Sequence, residues 1–177
     1  SRGDEAMNPR RHGLMTAHAR PDDIVAWRAT GAVTRNQFMG EVITLARSLP
    51  AGNCVLNVCE DRYRFMVGLA AALVAGKVSL LPASLSAETV RQLGATYPGL
   101  FCLHDGKGAI ADLPQLRYPE LPSVVDTIAV PEIEADRIAV ILFTSGSTGA
   151  PVAQPKTWGA LVRNGRAEAA RLGLLEE

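Results

Sequence analysis

Three short, largely apolar runs, residues 55–58, 78–81 and 100–103, recur with helix-length segments between them. A strand exposed on one face alternates apolar and polar residues. These runs are too apolar for that, so both faces of the sheet they form must be covered, which predicts a parallel sheet in an α/β fold. The connecting segments support the same reading. Asp61 is placed to cap a strongly apolar helix over 62–75 that stops at Gly76, and Ser86 to cap a shorter one through about Ala95. Upstream, residues 24–28 read as a strand, Thr30 and Gly31 as a turn, and Ala32 and Val33 as a short returning strand. Thr34 and Gln37 then stand at the spacing of a capping box, ahead of a stripe formed by Phe38, Val42, Leu45 and Leu49. Pro50 and Gly52 end that helix.

The remaining stretches are less regular. Residues 1–21 are polar, hold Pro9 and Pro21, and read as a flexible N-terminal arm, leaving 22–177 as the α/β unit. Residues 105–136 carry prolines at 114, 119, 122 and 131 behind Gly106 and Gly108, and read as a long surface connection with one short strand at 127–130. Residues 138–143 (IAVILF) are the plainest strand in the chain. Residues 157–172 read as a helix with Trp158, Leu161, Val162, Ala169 and Leu172 on one side, although Gly159 and Gly165 weaken it.

Composition excludes several classes. Lys and Arg total 18 against 18 Asp and Glu, so there is no basic excess of the kind that holds nucleic acid. The longest apolar run, 65–75, has eleven residues, where a membrane span needs about 20. No apolar stretch follows the charged N-terminus as in a signal peptide. Cys54, Cys59 and Cys102 fit neither a CxxC pair nor a zinc framework, and read as small apolar core residues in a reducing, cytoplasmic compartment.

One segment carries chemistry. Directly after the strand at 138–143 come Thr144, Ser145, Gly146, Ser147, Thr148 and Gly149. The glycines allow a ligand close to the backbone, and the hydroxyls add donors beside the amides. Placed at the carboxyl end of a buried strand, such a loop suits an anion. It is not a Walker A loop, because Ala150 and Pro151 follow where a lysine and a helix start belong. The prolines at 151 and 155 postpone the next helix, and Lys156 is the nearest cation in sequence. The plainer reading, a Ser/Gly/Thr turn or linker, fits poorly with direct attachment to a buried strand.

Other candidates are weaker. Residues 106–111 fit GxGxxA formally, but Asp112, Leu113 and Pro114 follow instead of a helix. No GxSxG elbow exists. His12, His18 and His104 are scattered. Glu60, Asp61 and Arg62 read as a helix cap within a solvated cluster, and Trp158 as a core anchor, with a base-stacking platform as the alternative that its closeness to the loop leaves open.

The run ILFTSGSTGAP resembles the signature loop of the adenylate-forming superfamily, which includes acyl- and aryl-CoA synthetases and nonribosomal peptide adenylation domains. In that family the strand is followed by TSGSTG, any residue, Pro, Lys and Gly. Thr144 to Gly149 and Pro151 match position by position. Thr34, Phe38 and Leu45-Ala46 resemble the family's first helix, and residues 65–81 its Ala- and Gly-rich segment ending in LLP. Two departures stand out. Val152 occupies the lysine position, with Lys156 four residues on as its expected substitute, and the chain is much shorter than family members.

The resemblance implies a partial N-terminal domain, α/β with a mostly parallel sheet flanked by helices. It implies binding of ATP with Mg²⁺ by Thr144, Ser145, Gly146, Ser147, Thr148, Gly149 and Lys156, and activation of a carboxylic acid as an acyl adenylate. Coenzyme A or the phosphopantetheine of an acyl carrier protein is the implied acceptor. No catalytic residue and no metal ligand is expected within these residues, which alone should be inactive and prone to self-association. The alternative is a non-catalytic module with a vestigial loop that acts in protein interaction.

Overall fold

A computed structural model describes residues 11–14, 20–123, 126–147 and 149–171. Its elements, in chain order, are β1 (Arg11–Gly13), β2 (Ile24–Arg28), β3 (Gly31–Thr34), α1 (Arg35–Ser48), β4 (Cys54–Asn57), α2 (Arg62–Val74) and β5 (Val78–Leu81). They continue with α3 (Ala87–Thr96), β6 (Phe101–His104), β7 (Gln115–Arg117), β8 (Glu132–Glu134), β9 (Ile138–Ser145), β10 (Pro151–Thr157) and α4 (Trp158–Arg171).

The helix starts follow from their caps. Thr34 Oγ1 accepts from the Gln37 N–H at 3.2 Å, and Gln37 Oε1 accepts from the Thr34 N–H at 2.9 Å, so two free donors at the start of α1 are satisfied reciprocally. Asp61 Oδ1 accepts the Arg64 N–H at 2.9 Å and Ser86 Oγ the Thr89 N–H at 3.2 Å, opening α2 and α3. Helix α2 ends where Gly76 turns to φ +77°, a conformation that a side chain disfavours.

The main sheet runs β10-β9-β5-β4-β6-β7, and every neighbouring pair is parallel except β10 with β9. Alternate strand residues feed opposite layers. Val55, Phe101 and Leu103 pack with Met39, Val42 and Leu45 of α1 and Val67 and Ala71 of α2. Leu56, Leu80, Leu100 and Ile141 pack with Leu93 of α3 on the other face. Ala139 and Val140 join Leu73, Ile133, Trp158 and Leu161, so Trp158 is a core anchor as its sequence context implied. The doubly covered parallel sheet is the architecture that the apolar strands demanded. Cys59 and Cys102 are buried and all three cysteines are free. No described helix is long and apolar enough to cross a membrane.

Three expectations need correction. Residues 127–130 form no strand; the 105–136 connection instead supplies β7, parallel to β6, and β8. Short polar strands of this kind have one hydrogen-bonded neighbour and show no apolar signature. The arm over 1–21 is not wholly loose, because Arg11–Gly13 pairs with Glu132–Glu134 of β8; residues 1–10 and 15–19 lie outside the described residues. The strand before the loop extends to Ser145, so Thr144 and Ser145 belong to β9. The prolines at 151 and 155 do postpone the next helix, to Trp158, and both sit inside a strand, β10. At an edge a proline gives up an N–H that faces no partner, so the sheet tolerates both.

Candidate functional site

Strand β9 delivers Thr144 and Ser145 to the carboxyl edge of the sheet, beside β5. Gly146 to Ala150 then reverse the chain into β10. The reversal is self-bonded: the Gly149 N–H donates to Gly146 O at 3.0 Å, and the Gly146 N–H to Ala150 O at 3.1 Å. Gly149 adopts φ +80° there, which glycine alone takes without strain. Those two amides are therefore committed to the turn. Thr144, Ser145 and Ser147, which carry hydroxyls, are exposed residues. Thr148 lies outside the described residues.

Thr144 has a partner that sequence reading missed. Gln154 Nε2 donates to Thr144 Oγ1 at 3.4 Å across the β9–β10 ladder. A hydroxyl that accepts a hydrogen bond keeps its own proton available for an acceptor, so Gln154 leaves Thr144 poised to donate.

Beside the loop opens a cavity of about 340 Å³. Thr144, Ser145, Gly149 and Pro151 form one wall, and Pro82, Leu93, Tyr97 and Phe143 contribute to the others. Tyr97 and Phe143 meet edge to face, with centroids 6.2 Å apart. The loop is thus neither remote from a cavity nor filled by its own side chains.

Lys156 is not brought to this place. It pairs with Val140, whereas Pro151 pairs with Ser145 beside the loop. Five residues of extended strand separate the two positions, about 17 Å at ~3.4 Å per residue, more than a lysine side chain spans. Proximity in sequence misled because the intervening chain is straight rather than folded back. Val152 faces Thr144 in the ladder and is 48% exposed.

The weaker sequence candidates find ordinary places. His104 is buried, and its Nδ1 accepts the Gly106 N–H at 3.1 Å. Residues 106–111 open no helix. Asp61 caps α2 and pairs with Arg28 at 3.1 Å. His12 lies in β1 opposite Ile133, and His18 lies outside the described residues. Burial, with the Asp105 carboxylate nearby, pushes the Cys59 thiol up to about 12, so it is inert near neutral pH. Among the described residues there is no group of three His, Cys, Asp or Glu side chains able to hold a metal ion.

No protein-family model matches the sequence, and no curated protein matches it. Solved structures do. O-succinylbenzoate coenzyme A synthetase (MenE) from Bacillus subtilis, in complex with ATP and magnesium ion, matches with a TM-score of 0.67 and 21% identity over 88% of this chain and 45% of that one. The Klebsiella oxytoca NpsA N-terminal subdomain, in complex with 3-hydroxybenzoyl-AMSN, matches at 0.58 and 20% identity over 77% and 37%. VinN in complex with 3-methylaspartate matches at 0.61 and 17% identity over 88% and 48%. The chain spans less than half the length of these structures. Their shared architecture fixes the fold: a mostly parallel sheet flanked by helices, that of the N-terminal domain of adenylate-forming enzymes.

Proposed function

We propose that this chain is the opening part of the large domain of an ATP-dependent ligase that activates a carboxylic acid. The observation that carries the reading is the position of the hydroxyl-rich loop. It leaves the carboxyl end of β9 in the fold of adenylate-forming enzymes and lines a cavity of about 340 Å³. The reaction has two steps. A carboxylate oxygen attacks the α-phosphorus of ATP, the bond to the bridging oxygen breaks, and pyrophosphate leaves. A thiol, of coenzyme A or of a carrier protein, then attacks the acyl carbon and AMP departs.

In this reading the chain's task is positioning. The hydroxyls of Thr144, Ser145 and Ser147, with Thr148, donate to the β- and γ-phosphates and hold the α-phosphorus in line with the attacking carboxylate. Gly146 and Gly149 shape the turn and give up their amides to it. Lys156, as placed, takes no part. Mg²⁺ is the expected companion of the nucleotide, and the described residues offer it no cluster of His, Cys, Asp or Glu ligands. Nucleobase and ribose contacts, the acid pocket and the acceptor site would come from sequence outside these residues. The 177-residue chain alone is therefore expected to ligate nothing, to bind ATP weakly in calorimetry, and to self-associate in sedimentation.

The test is pyrophosphate–ATP exchange by a protein carrying this chain within a full-length domain, against a panel of carboxylic acids. Exchange that depends on one acid supports the reading, and folded protein that exchanges with none sinks it. Val152 favours a second reading, a non-catalytic module with a vestigial loop, because an uncharged side chain there cannot neutralise phosphate. That module would bind ATP no better when full length than as the isolated chain.

A further inference from the structure

The order of the parallel strands reverses at β4. The chain steps from β4 to β5 on one side and then crosses to β6 on the other. In doubly wound sheets the crevice at the carboxyl ends of such a strand pair is the usual place for a ligand. Here it lies two strands from the hydroxyl-rich loop. Asp105, the first residue after β6, turns into it. Its two carboxylate oxygens accept the N–H groups of Glu60 at 3.2 Å and Asp61 at 2.9 Å. The backbone donors of the crevice are thus spent on the chain's own carboxylate.

A polar cavity of about 630 Å³ opens beside this plug, with Arg28, Glu41, Arg64, Asp105, Arg117 and Tyr118 in its wall. Three arginines and three carboxylates line it, so its formal charges balance, and several of its polar groups already have partners. Glu41 accepts the Tyr63 hydroxyl, and Arg28 pairs with Asp61 while lying 4.4 Å from the centroid of the Tyr63 ring. Asp105 holds its two amides. Three donors remain. The Arg64 guanidinium lies 5.4 Å from the centroid of the Tyr118 ring, and neither it nor Arg117 has an ion pair among the described residues. The Tyr118 hydroxyl is buried and finds no hydrogen-bond partner among them. Burial raises the Tyr118 pKa, so the phenol keeps its proton and remains a donor. Glu120, exposed at the rim, is the one carboxylate there without a partner among the described residues, and the charge of Asp105 acts on Arg64, so what the wall holds in excess is unspent hydrogen-bond donors and not positive charge.

We propose that this hollow is a second anion site, separate from the β9–β10 loop, which binds a small ligand carrying two or more oxyanion groups on Arg64, Arg117 and the Tyr118 hydroxyl. Guanidinium forks match phosphate and carboxylate oxygens equally well in geometry. The surplus of donors over acceptors is what selects an acceptor-rich ligand. The proposal does not rest on the ligase reading, because it uses none of the loop's residues.

Titration calorimetry on the 177-residue chain, with inorganic pyrophosphate and separately with citrate, tests it. Saturable binding of at least one probe is expected, and the tighter of the two assigns phosphoryl or carboxylate chemistry to the natural ligand. Arg117→Gln, at an exposed position that should not disturb folding, is expected to weaken binding by about tenfold. Adding Arg64→Gln should abolish it. Ser145→Ala with Ser147→Ala removes whatever the loop contributes and should leave the Arg117-dependent part of the binding in place, which separates this site from phosphate held at the loop. Tyr118→Phe should weaken it a few-fold without changing the circular dichroism spectrum. Failure of the wild-type chain to bind either probe overturns the proposal. So does undiminished binding by the Arg117→Gln chain, or loss confined to the serine variant.

Discussion

Val152 stands directly across the β9–β10 ladder from Thr144, at the position where the resembling family carries a lysine. Thr144 consequently meets an apolar neighbour on one side and the Gln154 amide on the other. If the loop holds nucleotide phosphates, it does so without a side-chain cation among the described residues. Val152→Lys is therefore expected to lower the KM for ATP in pyrophosphate exchange by about tenfold, the worth of one charge-assisted hydrogen bond. An exposed edge strand accepts a lysine readily, so stability should not change. An unchanged KM would mean that the phosphates lie elsewhere.

Asp105 gives a pH dependence whose sign can be worked out. Desolvation opposes its charge, but the N–H groups of Asp61 and Glu60 outweigh it and hold the carboxyl below the usual carboxylate value of 3.8. A group depressed on folding contributes stability above its unfolded value, and that contribution fades as pH falls through the folded one. Asp105→Asn should unfold more easily than the wild type in urea at pH 7. The gap should close as pH drops below 3.8. A gap that persisted at pH 2 would show that the carboxylate's charge is not what matters.

Much of the sheet was readable because burial on both faces leaves a plain sequence signature. Val55, Leu56, Phe101 and Leu103 are apolar in succession since each alternates between two covered layers. The caps at Thr34, Asp61 and Ser86 were readable because one hydroxyl or carboxylate at one spacing satisfies a free amide. Strand β10 was not, because Pro151 and Pro155 carry a breaker signal that holds in the middle of a sheet and fails at its edge. That single miss also misplaced Lys156, since a loop would have let it fold back and a strand carries it away. The plug made by Asp105 was equally hidden, as an Asp before Gly106 reads as an ordinary turn. Its role depends on the loop after β4, more than 40 residues upstream in sequence.

The capping box offers a graded test of local stability. Thr34→Ala removes the acceptor for the Gln37 N–H and should cost about 1 kcal/mol in urea unfolding. Gln37→Ala removes only the return bond to the Thr34 N–H, which lies near solvent, and should cost less. Thr34→Ser keeps the oxygen and should recover most of the loss. If Thr34→Ser were as damaging as Thr34→Ala, the methyl group rather than the cap would be responsible.

Gly52 and Gly99 mark the tightest approach between the segments that lead into β4 and β6. A Cβ on Gly52 would lie 1.7 Å from the Gly99 carbonyl oxygen and 2.8 Å from its carbon, and both are backbone atoms with no rotamer to yield. The Gly52 carbonyl also accepts from Lys77 Nζ at 2.7 Å, which ties the same segment to the residue before β5. Gly52→Ala must therefore push two adjacent strands apart at their starts. Its cost is expected at or above the upper end of ordinary overpacking, about 3 kcal/mol, read as a lower urea midpoint. Gly165→Ala in α4 is the control. A Cβ there meets nothing within 4 Å, and alanine favours a helix over glycine by about 1 kcal/mol. That variant should be neutral or stabilised, and a comparable loss in both would argue that glycine's flexibility, not the contact at Gly99, sets the result.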